Sequence, residues 1–297
     1  MNNSLIKTVD RTISFSVIIP NKHRLTLLRR AVKSVLKQSY NKFEIIIIDD
    51  SSEDEFSSIV NEMGQHEKIK IVRGSGEGAA KARLMGYMKA SFPYIAFLDS
   101  DDYWGKDKLL YHANAYSLYP EIVACFDLLL LIKDGKQQKV VYPPINYVRG
   151  ETVLVSMAHV HKELLKDNFI HASAGSFKKY VLGDDFSPKS PNDYLTWLRL
   201  SARGSFGVIG CIMTTRTDQP DSLTWNKKIL FEESVNIFKE KFLLINTHNI
   251  LNKYTRMKFL FFSIFILVTF YFAIPPKVKK IILGKSKANK SSFLRIL

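Results

Sequence analysis

The strongest constraint on the fold is a repeated pattern in the first hundred residues, where short apolar runs alternate with amphipathic segments. The apolar runs are rich in β-branched residues and predict buried parallel strands. These runs stand at 15–19, 43–49, 69–72 and 94–98, and the predicted helices at about 24–38, 56–63 and 79–90. Pro20 is expected to end the first strand. Four strand–helix units predict an α/β fold with a mainly parallel sheet.

The second half of the chain carries a less regular pattern. It predicts, in order, a helix near 106–118, a hairpin of strands 121–132 and 137–142 turning at Asp134-Gly135, a helix from Asp193, a strand over 205–215 and a helical stretch over about 227–255. Asp-Gly between two apolar runs is a strong hairpin signal. With 297 residues, of which 46% are hydrophobic, the chain is long enough for one large domain or two small ones.

The positive charge is concentrated at the C-terminus. Of the net charge of +15, ten cations and no acid lie within 251–297, so that the first 250 residues carry only +5. Between these cations lies the uncharged run 259–274, about 24 Å long as a helix and shorter than the ~30 Å bilayer core. The tail therefore predicts association with an anionic membrane surface, by crossing or by lying at the interface. The alternative is a buried C-terminal helix.

Several classes of protein are excluded. A nucleic-acid-binding face needs cations on a folded surface with aromatic residues between them, and the basic tail does not supply it. Two distant cysteines, Cys125 and Cys211, exclude a disulfide scaffold and a cysteine-built zinc site. The N-terminus has no apolar core typical of a secretory signal.

The strongest local signal for chemistry is Asp99-Ser100-Asp101-Asp102, which follows a buried strand. Carboxylates on such a loop can share a hard divalent cation, Mg²⁺ or Mn²⁺, with a diphosphate. The alternative is a solvated acidic turn. A calcium EF-hand is excluded by spacing, because positions 103 and 104 are Tyr and Trp.

Further candidates stand at the neighbouring strand ends. The pair Asp49-Asp50 follows the second strand, where a carboxylate can accept hydrogen bonds from a base or a ribose, or can cap the next helix. Arg83, one turn into the third helix, can reach a phosphate or an acid across the sheet edge, or can be an ordinary exposed cation. The loop Gly74-x-Gly76-x-x-Ala79 is compatible with a dinucleotide fingerprint.

Taken together, these stretches resemble the family 2 glycosyltransferases with the GT-A fold. The stretches that carry the resemblance are FSVIIP, RLTLLRRAVKSVLKQSYNKFEIIIIDDSSED, GAAKARLMGYMKASFPYIAFLDSDDYW and NDYLTWLRLSARGSFGVI. They cover about 15–105 densely and 180–225 thinly, in the order of the family. We therefore expect a catalytic domain over 1–225, a helical extension over 226–258 and a membrane-associating tail over 259–297.

The resemblance also implies roles for individual residues. Asp50 would bind the nucleotide base, and Arg83 would line the nucleotide pocket. Asp99 would lie near the ribose and Asp101 on the metal, Mn²⁺ or Mg²⁺. Pro20 and Ser100 are placed in the same nucleotide-sugar site. Asp193 would be the catalytic base, with a helix N-cap as the alternative.

Three departures from the family pattern stand out. The family's Thr-Tyr-Asn-Arg after the first strand is here Asn-Lys-His-Arg over 21–24, which removes an aromatic residue near the base. The glutamate expected before Asp193 is Asn192, so the aspartate lacks an acidic neighbour that would raise its pKa. Asp218 stands where many relatives carry a histidine.

The resemblance implies an inverting transfer of a sugar from a nucleoside diphosphate donor, expected to be a UDP-sugar. The expected acceptor is a glycan or lipid-linked glycan of surface polysaccharide such as O-antigen or capsule, at the cytoplasmic face of the cell membrane. Two other functions remain open on the sequence. One is an NAD(P)-dependent oxidoreductase using the glycine loop, and the other is a catalytically inactive, membrane-tethered binding protein.

Overall fold

A computed structural model describes residues 9–10, 12–133, 135–183 and 193–218, together with positions 237, 240, 241 and 244. The predicted tail over 259–297 lies outside the described residues, as does the extension over 226–258 apart from those four positions. Among the helices that the structure describes, none has the length and apolar character needed to cross a bilayer.

The described residues form ten strands and seven helices. The strands are β1 Phe15–Asn21, β2 Phe43–Asp49, β3 Ile69–Arg73, β4 Tyr94–Phe97, β5 Tyr103–Trp104, β6 Ala124–Lys133, β7 Lys136–Val141, β8 Thr152–Val155, β9 Gly175–Lys178 and β10 Phe206–Asp218. The helices are α1 Leu25–Leu36, α2 Glu53–Met63, α3 Ala79–Lys89, α4 Lys108–Leu118, α5 Met157–Lys166, α6 Lys179–Leu182 and α7 Asp193–Ser201. A short 3₁₀ turn, Ala172–Ala174, precedes β9. The predicted strand–helix units and the 124–141 hairpin are confirmed.

All ten strands belong to one mixed sheet in the order β3-β2-β1-β4-β9-β6-β10-β5, with β7 on β6 and β8 on β10. The first four strands are parallel to one another, as the apolar runs predict. β9 then runs antiparallel between β4 and β6, and β6 pairs in parallel with β10. The carboxyl ends of β1, β2 and β4 consequently meet at one edge of the sheet.

Helices cover both faces of the sheet, because the strands of its parallel half are apolar on both sides. Along β1, Ile18 packs into one core while Val17 and Ile19 pack into the other. Helices α1, α2 and α4 cover the face of Val17, and α3, α5 and α7 cover the face of Ile18. This three-layer arrangement is the α/β fold expected from the sequence.

The first strand does not end at Pro20, contrary to the prediction, but continues to Asn21. Ile18 O accepts a hydrogen bond from Leu98 N in the direction of β4, whereas Asn21 O accepts one from Asp50 N in the direction of β2. Pro20 therefore faces the side of β4, which has already ended. No neighbouring strand needs a backbone N–H donor at this position, so proline, which has none, is tolerated there.

Helix α7 is fixed on the sheet by its aromatic side chain. Trp197 is fully buried and packs edge-on against Phe177 of β9, with ring centroids 6.0 Å apart. A Cβ at Gly175 would lie only 2.4 Å from the Trp197 ring, so glycine is needed for this close approach. Arg199 in the last turn pairs with Glu240 at 2.6 Å. These contacts determine where Asp193, the first residue of α7, is held.

Candidate active site

The ends of the parallel strands carry a row of polar side chains. Asn21 at the end of β1 and Asp49 at the end of β2 lie in register, and Asn21 Nδ2 donates to Asp49 Oδ1 at 2.6 Å. Ser51 donates to the same carboxylate oxygen at 2.8 Å. Asp49 is fully buried, so it serves the structure of the edge. Pro20 lies beside it, buried in β1 opposite Ile48.

Asp50, predicted to bind the base, holds the glycine-rich loop. Its Oδ1 accepts a hydrogen bond from Gly76 N at 2.8 Å. A Cβ at Gly74 would lie 1.9 Å from the same oxygen, so only glycine allows the loop to approach Asp50 so closely. The first glycine of the apparent dinucleotide fingerprint is thus explained by packing against Asp50.

Asp99 and Arg83 form an ion pair across the edge. Arg83 Nη2 donates to Asp99 Oδ1 at 2.5 Å, and both side chains are mostly buried. Burial raises the pKa of Asp99, but the charge of Arg83 opposes it and holds the pKa below its usual value. Asp99 is therefore ionised at neutral pH, as a phosphate- or metal-binding edge requires.

Asp102 is the most buried acid of the turn, with 1% of its surface exposed. Its Oδ2 accepts from Ser173 Oγ at 2.6 Å, and its Oδ1 accepts from Thr217 N at 3.2 Å. Burial raises the pKa of Asp102 well above its usual value, and the charges of Asp99 and Asp101 raise it further. A positive charge placed here would therefore favour the ionised form of this carboxyl.

Asp101, the predicted metal ligand, forms an ion pair with Arg24. Its backbone oxygen accepts hydrogen bonds from Arg30 Nη2 at 2.5 Å and from the hydroxyl of Thr217. Burial and the charge of Asp99 raise the pKa of Asp101, against the opposing charge of Arg24. Ser100 is buried within the same turn.

His171 completes a group that fits a divalent cation. Asp99, Asp102 and His171 each offer one ligand atom, and these atoms lie within 4.8 Å of one another. Burial lowers the pKa of His171, which favours the neutral imidazole that ligates metals. The carboxylates suit Mg²⁺ or Mn²⁺, and a cation would offset the repulsion that raises the pKa of Asp102. We call Arg83, Asp99, Asp101, Asp102 and His171 the edge cluster.

Asp193, the predicted catalytic base, lies within range of electrostatic interaction with the edge cluster. Its charge acts on the pKa values of both Arg83 and His171. The side chain is half-buried at the start of α7, where Oδ1 accepts from Tyr194 N at 2.8 Å. The fold thus brings together acids that are almost a hundred positions apart in the chain.

A cavity of about 200 Å³ adjoins the edge cluster at His171. Its polar lining comes from Asp127, Asn168, His171 and Arg216, and its apolar wall includes Phe169. Arg216 also acts electrostatically on Asp99 and His171. A space lined by the cation Arg216 beside a row of acids can hold a polar, charged ligand.

Several of these residues were missed by the sequence analysis. His171 lies in an irregular segment with no metal-ligand spacing, and Arg216 and Thr217 lie near the end of a strand. Arg24 belongs to the segment 21–24, in which the sequence pattern indicates only that the aromatic residue of the family is missing. The Thr-Arg-Thr-Asp run over 215–218 was noted for Asp218, but it is Arg216 and Thr217 that contact the site.

The chain is similar to known glycosyltransferases. The model of Glycosyl transferase family 2 matches residues 16–168. The putative teichuronic acid biosynthesis glycosyltransferase TuaG of Bacillus subtilis is 42% identical over 237 residues, covering 76% of this chain and 87% of TuaG. The UDP-Glc:alpha-D-GlcNAc-diphosphoundecaprenol beta-1,3-glucosyltransferase WfaP of Escherichia coli is 42% identical over 94 residues, covering 32% of this chain and 38% of WfaP.

Among solved structures, the chain is similar to S. aureus TarS 1–349 in complex with UDP-GlcNAc. The TM-score is 0.64 at 16% identity, over 84% of this chain and 70% of that one, and the likeness establishes the GT-A-like fold. The chain covers only 18% and 36% of the length of glycosyltransferases from Rickettsia conorii and Rickettsia bellii. Asp193 and Arg216 lie beyond the residues that the family model matches.

Proposed function

Because the chain belongs to glycosyl transferase family 2, we propose that it transfers a sugar from a nucleoside diphosphate sugar to a hydroxyl of a glycan acceptor. The observation that carries this proposal is the position of Asp193, a half-buried carboxylate beside Arg83 and His171 of the edge cluster. A candidate base then stands next to a candidate diphosphate site, as a glycosyl transfer requires.

The donor is a UDP-sugar in this proposal, with its diphosphate at the edge cluster and its base near Asp50. Arg83 supports this assignment, because its Nε is buried without a hydrogen-bond partner among the described residues. Arg216 adds a second cation on the side of the adjoining cavity. The UDP-GlcNAc complex of TarS and the name of WfaP support uridine as the base.

Asp99, Asp102 and His171 would hold Mn²⁺ or Mg²⁺, and Asp101 can join them if it leaves Arg24. When bound, the cation would neutralise the charge of the departing diphosphate. Arg83 and Arg216 share that task, since each acts electrostatically on Asp99. Ser173 and Thr217 orient the Asp102 carboxyl through hydrogen bonds to its two oxygens.

The transfer itself needs a base on the acceptor side. The acceptor oxygen forms a bond to the anomeric carbon while the bond from that carbon to the diphosphate breaks, and the hydroxyl proton passes to Asp193. Attack opposite the leaving diphosphate inverts the configuration of the anomeric carbon. General base catalysis of this kind contributes about 10²–10⁴-fold in rate.

We place this reaction in surface polysaccharide assembly, on a lipid-linked acceptor at the cytoplasmic face of the cell membrane. Support comes from the names of TuaG and WfaP and from the apolar and basic sequence over 259–297. Flotation of the full chain with membranes after cell lysis is the expected result. Full recovery in the detergent-free soluble fraction would contradict the membrane assignment.

The donor assignment is tested by thermal shift of the full chain against a panel of nucleotide sugars with Mn²⁺. A ligand that binds the native state raises its melting temperature, and a UDP-sugar is expected to give the largest increase. Isothermal titration with UDP should show Mn²⁺-dependent affinity that Asp101→Ala and Asp102→Asn both reduce. Donor hydrolysis separates an enzyme from an inactive binding protein, for which no sugar would be released.

A further inference from the structure

A second cavity lies on the α1 face of the sheet, separate from the one at His171. It measures about 220 Å³ and is formed between α1 and the segment that carries β5. Among the described residues, its lining includes four cations, Arg30, Lys33, Lys37 and Lys106, together with Tyr103 and Trp104, and no acidic residue. The first 250 residues carry a net charge of only +5, but they contain a local basic site at this cavity.

Among the described residues, the three lysines of this cavity have no carboxylate partner. Lys33, Lys37 and Lys106 are exposed, and within the described part of the chain none takes part in an ion pair. Helix α1 contains no acidic residue. By contrast, Arg29 on the same helix is paired with Glu62 at 2.6 Å. The positive potential at the cavity is thus left uncompensated.

Arg30 gives the cavity one fixed cation. Its guanidinium carbon lies 4.8 Å from the centre of the Tyr103 ring, and Nη2 donates to Asp101 O at 2.5 Å and Thr217 Oγ1 at 2.9 Å. Its Nε is buried and has no hydrogen-bond partner among the described residues. Arg30 is therefore a cation held in place at the lining of the cavity, beside three exposed lysines.

We propose that this cavity binds the phosphate groups of an anionic ligand, at a site distinct from the edge cluster. A guanidinium held in place and three ammonium groups around a concave space, with no carboxylate among them, match the charge and the several acceptor oxygens of a phosphate or diphosphate. The phosphate can come from a lipid headgroup of the bilayer or from a soluble phosphate compound. Because Arg30 also contacts the Asp101 carbonyl, the ligand lies directly behind the proposed donor loop.

The test compares two triple variants of the full chain that lose the same charge. Lys33→Gln/Lys37→Gln/Lys106→Gln removes the cavity lysines, and Lys42→Gln/Lys89→Gln/Lys162→Gln removes three exposed lysines elsewhere. One arm measures binding to phosphatidylglycerol vesicles, with phosphatidylcholine vesicles as reference. The other measures pyrophosphate by isothermal titration in EDTA. The basic tail is identical in both variants, so their difference reports the cavity alone.

The cavity variant is expected to bind at least about tenfold more weakly than the control variant, because each lysine contributes several-fold near an anionic surface. A loss confined to vesicles assigns a lipid headgroup, and a loss that includes pyrophosphate assigns a soluble phosphate. Equal binding by the two variants in both arms overturns the proposal. A parallel loss of Mn²⁺-dependent UDP binding also overturns it, since the cavity would then belong to the donor site.

Discussion

Two clusters of ionisable residues meet at the 3₁₀ turn Ala172–Ala174, the edge cluster on one side and an interior cluster of Lys108, His112 and Asp127 on the other. Ser173 donates to Asp102 of the edge cluster, and Ala174 O accepts from Lys108 Nζ of the interior cluster at 3.0 Å. Acidic and basic side chains therefore lie on both sides of this short turn, but the two clusters have different environments.

The interior cluster is fully buried and pairs its acid with a cation, although Asp127 Oδ1, at the lining of the cavity by His171, has no hydrogen-bond partner among the described residues. Asp127 Oδ2 accepts from Lys108 and lies 3.0 Å from His112 Nε2, and Lys108 also donates to Thr214 Oγ1 at 3.0 Å. The edge cluster instead holds three carboxylates close together, and burial, together with the charges of Asp99 and Asp101, raises the pKa of Asp102. The difference indicates that the interior cluster stabilises the fold, and we propose that the edge cluster is completed by a ligand.

The largest effect on stability is expected from Lys108→Met, which leaves Asp127 buried without its cation. The free energy of unfolding should fall by about 3–5 kcal/mol. Chemical denaturation measures it, with the exposed helix residue Lys162→Met as control. The double variant Lys108→Met/Asp127→Leu should recover most of the loss. A single-variant loss no greater than that of the control would contradict the comparison.

A smaller effect is expected from the pH dependence of the same cluster. Burial and the charge of Lys108 lower the pKa of His112 to about 4, against 6.5 for the free side chain. The unfolded state therefore takes up the proton first as the pH falls, and stability is lost between about pH 6.5 and 4. The free energy of unfolding should fall by about 3 kcal/mol over this pH range.

This pH effect is isolated by subtracting the unfolding free energies of His112→Gln from those of the wild type. The variant lacks the titrating group, so its stability should decline less steeply over that range. Identical slopes for the two proteins would show that the imidazole is not held neutral by its surroundings.

The smallest effect on stability is expected from Asp102→Asn at the edge cluster. The amide keeps the shape and a hydrogen bond to Ser173 while it removes the repulsion from Asp99 and Asp101. Stability at pH 7 should change by less than about 1 kcal/mol, although Mn²⁺-dependent UDP binding is weakened. A loss as large as that of Lys108→Met would mean that the two clusters have the same structural role.

The parallel half of the fold can be predicted from the sequence because its strands are apolar on both faces. Both faces of this part of the sheet must therefore be buried. Once β4 is buried, Asp99 must emerge at the carboxyl edge, and Arg83 one turn into α3 is within reach of it. The same logic places Asp49 and Asp50 at the end of β2. The local sequence pattern predicts this half of the fold, except that β1 extends past Pro20.

The other half of the site depends on contacts between distant segments. His171 is brought to Asp102 by an irregular segment, and Arg216 by a strand whose pairing with β6 is shifted by bulges between Ile209 and Thr214. The burial of Lys108 requires Asp127 from another element, and a lysine in a predicted helix gives no sign of it. The role of Asp193 as catalytic base is predicted only from the family resemblance.

The most direct test of the central claim is the sugar-transfer rate of Asp193→Asn, measured together with its affinity for UDP. Asp54→Asn, an exposed aspartate in the first turn of α2, is the matched control. We expect turnover of Asp193→Asn to fall by at least about 10²-fold while UDP affinity stays within about twofold of wild type. Unchanged turnover, or loss of UDP binding in parallel with turnover, would contradict it.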